Sequence, residues 1–282
     1  MPQIHVRQHS PAYWRATFDN DPVNLMDPDT IYELDALVSR LETDPDVKVV
    51  VFDSANPDYF IAHWDMAADP ETVVGMATDS STRRGMHPYT DVFTRISRLP
   101  VVTIASVRGR VRGAGSEFIL ACDIRFASRE RAVLGQFEVG LGVVPGGGTT
   151  AWLPRLMGRG RALEVLLGAD DFPGDLAERY GYVNRALPDA ELDEFVDRFA
   201  DRIAGFEKQA IVETKELVNR VDLPSDDEFV AALNGYFESF PRPGVRARAA
   251  ALFALGLQQP GDGELRLGQH VAAYGENAGA RD

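Results

Sequence analysis

A chain of 282 residues, with 45% hydrophobic and 26% charged side chains, is long enough to bury a large core. Its net charge of −14 argues against a general nucleic-acid-binding protein, because phosphate contacts need clustered basic residues. No apolar run could span a bilayer, the N-terminus lacks the apolar core of a signal peptide, and the single cysteine, Cys122, excludes an internal disulfide. We therefore expect a cytoplasmic protein without nucleic-acid or membrane partners, in which Cys122 is a small buried residue.

The first part of the chain predicts strands that alternate with a helix. Residues 13–20 alternate apolar and polar side chains, which is typical of a half-buried strand. Residues 47–55 and 100–107 are near-continuous apolar runs, which suits strands covered on both faces. A helical pattern over 29–44 places four apolar side chains on one face: Ile31, Leu34, Leu37 and Leu41. This alternation predicts an α/β fold.

The segment 67–89 differs, because its periodicity is weak and it is rich in Gly, Ser, Thr and Pro. We interpret it as a mobile connection that could cover a site. A short helix follows and ends at Pro100.

After residue 158 the pattern becomes helical. Residues 159–168 predict a helix with Gly168 as its C-cap, and a second helix begins with Asp189 as a plausible N-cap. One stripe of that helix is apolar: Leu192, Phe195, Val196, Phe199 and Ile203. Helices continue over 206–257, so we place a boundary near Gly205, with an active-site core over 1–205 and a helical region over 206–282.

The stretch "VRGAGSEF", residues 111–118, joins a strand to a helix through small residues. Backbone N–H groups in the first turn of a helix are unpaired, and small residues let a ligand approach them closely. Such a turn suits an anion or a developing oxyanion. Glu117 stands beside these donors, either as an acid/base group or as a charge that is favourable with the helix dipole.

A second carboxylate, Glu138, lies 21 residues after Glu117 and precedes the glycine-rich turn 145–148. Two carboxylate-plus-glycine segments suggest a pair of acid/base groups. No Gly-Lys-Ser/Thr follows the first turn, and Ser116 is not in a Gly-x-Ser-x-Gly frame, so neither a P-loop nor a serine nucleophile elbow is matched.

Four segments in this order resemble the crotonase superfamily, the enoyl-CoA hydratase/isomerase family, over residues 10–205. They are "YFIAHWDM", "IASVRGRVRGAGSEFILACDI", "FEVGLGVVPGGGTTAWLPRLMG" and "GADDFPGDLAERYGYVNRALPDAEL". The resemblance implies an α/β, crotonase-like spiral of ββα units with a C-terminal helical region that builds homotrimers or hexamers. It also implies acyl-CoA substrates, with CoA as part of the substrate and no separate cofactor.

The resemblance further implies which residues form the site. Backbone N–H groups of Ala62 and Ala114 correspond to an oxyanion hole for a thioester carbonyl, and Glu117 and Glu138 correspond to the two glutamates of the hydratases. We expect no metal, because His63 and Asp65 lack further ligands.

This chain departs from the family pattern at the mouth of the site. His63 stands where a glycine is expected and Trp64 where another small residue is expected; His63 could donate to a substrate, gate the site or fill space. Trp64 and Met66 could narrow the acyl pocket, and Gly146 is a further pocket candidate.

The basic residue expected before the first motif, near the CoA phosphates, is replaced by "NPD", residues 56–58. The positive charge for these phosphates could instead come from arginines of the segment 67–89 or from arginines near the small-residue turn. They are Arg83, Arg84, Arg108, Arg110 and Arg112.

The leading hypothesis is a hydro-lyase that adds or removes water at an enoyl thioester. The alternatives are a double-bond isomerase that works with one carboxylate, a CoA-independent hydrolase that cleaves a C–C bond of a β-diketone, and a crotonase-like binding protein without turnover. The presence of both Glu117 and Glu138 favours the hydratase.

Overall fold

The computed structural model describes residues 2–278, within which there are two β-sheets and fifteen helices. The strands are β1 (Ile4–Gln8), β2 (Tyr13–Phe18), β3 (Val49–Ser54), β4 (Tyr59–Ile61), β5 (Val102–Val107), β6 (Arg110–Arg112), β7 (Ile124–Ser128), β8 (Val133–Gly135), β9 (Asp171–Pro173) and β10 (Arg185–Leu187). The helices before Gly205 are α1 (Pro28–Thr43), α2 (Pro70–Val74), α3 (Asp79–Arg84), α4 (Pro88–Arg98), α5 (Ala114–Ala121), α6 (Glu138–Leu141), α7 (Thr149–Met157), α8 (Arg159–Gly168), α9 (Gly174–Tyr180) and α10 (Asp189–Ala204). The later helices are α11 (Lys208–Asp222), α12 (Asp226–Ser239), α13 (Pro243–Ala254), α14 (Asp262–Leu265) and α15 (Leu267–Ala278).

The chain winds between two sheets. The larger has the order β1-β2-β3-β5-β7-β10 and the smaller the order β4-β6-β8-β9. Strands pair in parallel except for β1 with β2 and β8 with β9. Each of the successive pairs β3/β4, β5/β6 and β7/β8 contributes one strand to each sheet, so the chain advances as a spiral. The predicted α/β spiral with C-terminal helices is confirmed.

The larger sheet is covered on both faces, as its apolar strands predict. Along β3, Val49 and Val51 pack with residues of α10 in one cluster, whereas Val50 and Phe52 belong to the main core on the opposite face. Burying one such side chain contributes about 1.5–3 kcal/mol relative to leaving it exposed. Coverage on both faces is why these strands read as apolar runs.

Helix α5 is anchored between the sheets by Phe118. The Phe118 ring centroid lies 5.1 Å from that of Phe18, 5.0 Å from that of Phe52 and 6.2 Å from that of Phe93. These rings meet at steep angles, the edge-to-face geometry that aromatic pairs prefer. Because Phe118 directly follows Glu117, the same packing fixes where the Glu117 backbone lies.

The segment 67–89, interpreted from the sequence as a mobile connection that could cover a site, contains two short helices, α2 and α3. Each helix has a capping side chain: Asp69 accepts from the Thr72 N–H, and Thr78 accepts from the Ser81 N–H. Helices of five and six residues are too short to display a 3.6-residue period, which is why the sequence does not indicate them; the mobility of the segment stays a prediction.

Two predicted helix caps are also corrected. Gly168 is still helical, and Ala169 is the C-cap, with a left-handed φ of 51°. Pro188, and not Asp189, is the N-cap of α10; the Asp189 carboxylate instead accepts a hydrogen bond from Arg108 at 2.8 Å. The pattern after residue 158 also conceals β9 and β10, which have only three residues each.

The helices after Gly205 differ in how far their side chains are buried against the core. Phe229 and Leu233 of α12 are buried, whereas α11 has no buried residue and exposes Leu217 and Val221. Apolar side chains exposed in this way are compatible with self-association, and both the boundary near Gly205 and the homo-oligomer stay predictions. No helix within residues 2–278 is long and apolar enough to cross a membrane.

Candidate active site

A cleft of about 640 Å³, partly open to solvent, lies between α4, α5, α6, α12 and the loop after β4. Seven of the eight residues that the sequence singled out line this cleft: His63, Trp64, Met66, Ala114, Glu117, Glu138 and Gly146. The structure therefore brings them together, and the role of each stays a prediction. Ala62 does not line the cleft.

The small-residue turn allows α5 to touch the end of β4 through the backbone. A Cβ atom at Gly115 would lie 2.4 Å from the Ile61 carbonyl oxygen, closer than real Cβ contacts occur. Gly113, with φ of 46°, turns the chain into the helix. The first turn of α5 consequently lies directly beside the loop that contains His63 and Trp64.

Glu117 is a buried carboxylate with two donors. Its Oε1 accepts a hydrogen bond from the Gly147 N–H at 2.6 Å, and its Oε2 accepts one from the Tyr89 hydroxyl. Burial raises the pKa of Glu117, and the two hydrogen bonds act in the opposite direction. Donors that favour the charged form mark Glu117 as the member of the pair that holds the negative charge.

Glu138 is also buried, but its surroundings favour the protonated form. Burial, together with the charge of Glu117, raises the pKa of Glu138 to about 8. Its Oε2 has no hydrogen-bond partner among the described residues. Two neighbouring carboxyl groups whose surroundings differ in this way are candidates for an acid/base pair.

The predicted oxyanion donor at Ala62 is corrected. Ala62 is fully buried, and its N–H donates to the Asn24 carbonyl at 3.1 Å, so it is not free to bind a ligand. Within residues 2–278 the N–H groups of Trp64 and Ala114 have no acceptor, and both residues line the cleft. The Ala114 amide is at the start of α5 and the Trp64 amide lies in the neighbouring loop after β4, so these two are the candidate donors to an oxyanion.

Aromatic side chains that sequence reasoning missed complete the walls. Tyr89 binds Glu117, while Tyr236 and Phe237 come from α12. His87 donates from Nε2 to the Val73 carbonyl at 2.7 Å and accepts the Tyr89 N–H at Nδ1, and burial lowers its pKa. A neutral His87 therefore ties α2 to the start of α4. No local spacing connects these residues with Glu117.

Within residues 2–278, no lysine or arginine lines the cleft. Arg84, Arg108 and Arg112 are engaged in ion pairs, and Arg110 donates to the Leu265 carbonyl. Arg83, at the exposed end of α3, has no ion pair or hydrogen bond among the described residues, so it is the candidate that remains available for a phosphate. No cluster of three or more His, Cys, Asp or Glu within this range could hold a metal ion.

The sequence profile of the enoyl-CoA hydratase/isomerase family matches residues 14–243. The short-chain-enoyl-CoA hydratase of Clostridium acetobutylicum is 34% identical over 70% of this chain and 74% of its own length. The crotonyl-CoA hydratase of Syntrophomonas wolfei is 33% identical over 70% of this chain and 74% of its own length. A solved structure, described as that of a proposed enoyl-CoA hydratase from Streptomyces avermitilis, has a TM-score of 0.89 at 44% identity and covers 96% of both chains. This chain belongs to the enoyl-CoA hydratase/isomerase family of enzymes.

The space that Gly147 leaves for Glu117 generates a stability prediction. A Cβ atom at Gly147 would lie 2.2 Å from Glu117 Oε2. We expect Gly147→Ala to lower the free energy of unfolding by about 1–3 kcal/mol, as overpacking does. Urea unfolding measures this, with Gly168→Ala as the control, because a Cβ at Gly168 meets nothing within 4 Å. Equal stability of the two variants would contradict the close packing.

The raised pKa of Glu138 generates a second prediction. An ordinary glutamate titrates near 4.5, so between pH 5 and 8 the folded state keeps a proton that the unfolded state has released. The free energy of unfolding contributed by this group therefore falls as pH rises through that window. We expect Glu138→Gln to lose this slope. The difference in the free energy of unfolding, variant minus wild type, should therefore be about 1 kcal/mol or more larger at pH 8 than at pH 5.

Urea unfolding at pH 5, 6.5 and 8 is the measurement for Glu138→Gln. The exposed Glu191 provides a matched control, since Glu191→Gln should keep the wild-type slope. A Glu138→Gln slope that is identical to that of the wild type would show that Glu138 is ionised throughout.

Proposed function

We propose that this enzyme hydrates an enoyl thioester, and catalyses the reverse dehydration, with Glu117 as base and Glu138 as acid. The observation that carries the proposal is the unequal pair of buried carboxyl groups beside two free backbone amides. Relatives named as short-chain-enoyl-CoA and crotonyl-CoA hydratases support the same reaction and a CoA thioester as the substrate.

The substrate's carbonyl oxygen would accept hydrogen bonds from the N–H groups of Trp64 and Ala114. Preorganised donors of this kind stabilise the negative charge that develops on the oxygen as an enolate forms. Removing one such donor typically costs about 10²–10³ in turnover, so the two amides are a large part of the catalytic effect.

Glu117 removes a proton from a water molecule while the water oxygen bonds to the β-carbon. The electron pair of the C=C bond moves toward the thioester, and the α-carbon receives the proton of Glu138. One water is thereby added across the double bond, leaving Glu117 protonated and Glu138 ionised, and a proton exchange between the carboxyl groups and solvent restores the starting state. Positioned acid/base groups contribute about 10²–10⁴-fold each.

A second candidate is the CoA-independent hydrolysis of a C–C bond in a β-diketone. Among the described residues the cleft lining contains no lysine or arginine, which favours this alternative, because groups outside that lining would have to bind the phosphates of CoA. An isomerase needs a single carboxylate, whereas both carboxyl groups here face one cleft. A binding protein without turnover has no use for a pair with opposed protonation states.

Single amide substitutions test the assigned roles. We expect Glu117→Gln and Glu138→Gln each to lower the kcat for hydration of crotonyl-CoA by roughly 100-fold or more, because each removes one proton-transfer step and keeps the shape. Loss of absorbance of the conjugated enoyl thioester measures the rate, and Glu191→Gln is the surface control. Full activity in either site variant would refute the two-carboxylate mechanism, and one mild plus one severe effect would indicate an isomerase-like site.

A proline substitution tests the backbone donor of α5. Ala114 is the first residue of the helix, where proline is tolerated because its missing N–H has no intrahelical partner. We expect Ala114→Pro to fold and to lose roughly 100-fold or more in kcat/KM. Arg159→Pro is a matched control, since Arg159 is the exposed first residue of α8 and also follows a glycine. Native activity in Ala114→Pro would exclude this amide as a donor.

A further inference from the structure

His63 lies between two groups that can only accept hydrogen bonds. Its Nδ1 is 2.6 Å from the Trp64 carbonyl oxygen, and its Nε2 is 3.3 Å from Glu264 Oε2. Glu264 Oε2 also accepts the Gln258 N–H at 2.8 Å, as an ionised carboxylate does. A neutral imidazole has one donor and one acceptor, so only the doubly protonated ring satisfies both contacts.

The charges around Glu264 support the same protonation state. Glu264 is fully buried, and Arg112, buried with it, lies 4.0 Å from Glu264 Oε1 and binds both carboxylate oxygens of Asp171. With a neutral His63 these groups would carry one uncompensated negative charge, which is costly in the interior. With a protonated His63 the cluster is neutral.

One further charge lies close to this cluster, because the half-buried Arg110 interacts with both Arg112 and Asp171. The Phe137 ring packs edge-on against the imidazole, with centroids 5.3 Å apart. A Cβ at Gly113 would lie 3.4 Å from His63 Cβ and 2.7 Å from Glu138 Oε1, so Glu138 is a titratable group on the side of α6, and its pKa is raised to about 8. Burial acts to raise the pKa of Glu264, but the contacts with His63, the Gln258 N–H and Arg112 lower it overall.

The contacts of His63 hold the peptide that carries the Trp64 N–H. The His63 carbonyl accepts the Met26 N–H at 2.9 Å, which orients the peptide between His63 and Trp64. The next peptide is held by the His63 ring at its carbonyl and by the Met26 carbonyl, which accepts the Asp65 N–H at 2.8 Å. Trp64 is thus clamped on both sides, and its own N–H remains free.

The C-terminal segment supplies the counter-ion and a second anchor. Glu264 lies on α14, and the Gln258 side chain donates to Asp65 Oδ1 at 2.5 Å. Residues 258–264 therefore hold the loop 63–65 at two points. A glycine, which stands at the position of His63 in the family pattern, could make neither side-chain contact.

We propose that His63, kept as an imidazolium by Glu264, is a positioning residue that holds the Trp64 amide in place as an oxyanion donor. The inference rests on the proposed function, because it assigns the Trp64 N–H a role in stabilising the enolate. On this proposal α14, a helix near the C-terminus, contributes to the site, because its Glu264 holds His63 in place.

The first test needs no turnover. ¹⁵N spectra of histidine-labelled protein at pH 7.5 report the protonation of both ring nitrogens, and the spectrum of His63→Asn identifies the His63 signals. We expect two protonated nitrogens in the wild type and a neutral ring in Glu264→Gln, which removes the counter-ion. A neutral His63 in the wild type would overturn the assignment.

The second test is kinetic. We expect His63→Gly and Glu264→Gln each to lower kcat by about 10- to 100-fold, with KM changed by less than about 3-fold, because a displaced donor affects the transition state more than binding. The double variant should be no slower than the worse single variant, since both changes disable one contact. His270→Asn is the control, as His270 pairs with Asp262 of the same segment without touching the loop.

The outcomes separate this inference from the proposed function. A wild type that hydrates no enoyl thioester would refute the function, and the ¹⁵N spectra would still decide the charge of His63. An active wild type whose His63→Gly variant keeps kcat within about 2-fold would refute the positioning role. If His63→Gly does not fold, Glu264→Gln carries the kinetic test with the same limits.

Discussion

The contact between the first turn of α5 and the end of β4 is the constraint on which the site depends. At Gly115 the helix approaches Ile61 so closely that no side chain fits between them. That approach places the Ala114 amide, the Glu117 carboxylate and the loop through Trp64 around one cleft. The Phe118 cluster holds the helix in this position, so the apolar core and the polar site are fixed by the same residues.

Two carboxyl groups in an apolar cleft are unfavourable unless their charge is reduced or satisfied. The unfavourable burial is offset differently at each of the two carboxyl groups. At Glu117, hydrogen bonds from Tyr89 and Gly147 stabilise the carboxylate, and at Glu138, burial and the charge of Glu117 raise the pKa and favour the protonated form. Glycines supply the room, since a Cβ at Gly147 would overlap Glu117 and one at Gly113 would lie 2.7 Å from Glu138 Oε1. The asymmetry that suits acid/base chemistry thus follows from how burial is made tolerable.

Features that depend on neighbours in the sequence could be predicted, and features that depend on distant residues could not. The apolar runs are a local signal, and they form the strands β3 and β5. The glycines around Glu117 and Glu138 are also a local signal, and the two glutamates line one cleft. Ala62 was chosen as a donor from its place in a motif, yet which amide stays free is decided by the pairing of this loop with residues 24–26. The predicted N-cap at Asp189 was wrong for a related reason, because the Asp189 carboxylate accepts a hydrogen bond from Arg108.

The residues that sequence reasoning missed lie on helices whose sequences contain no recognisable catalytic motif. Tyr89 is the second residue of α4, Tyr236 lies on α12, and Glu264 lies on α14, more than 100 residues after Glu117. The core before Gly205 supplies the carboxylates and the amides, while the helices after it close the cleft and neutralise the charges behind it. A division of the chain at Gly205 therefore separates the reacting groups from the residues that hold some of them in place. Since the His63 ring contacts Glu264 and the Gln258 side chain donates to Asp65, the loop 63–65 at the mouth of the cleft is packed against the C-terminal segment 258–264.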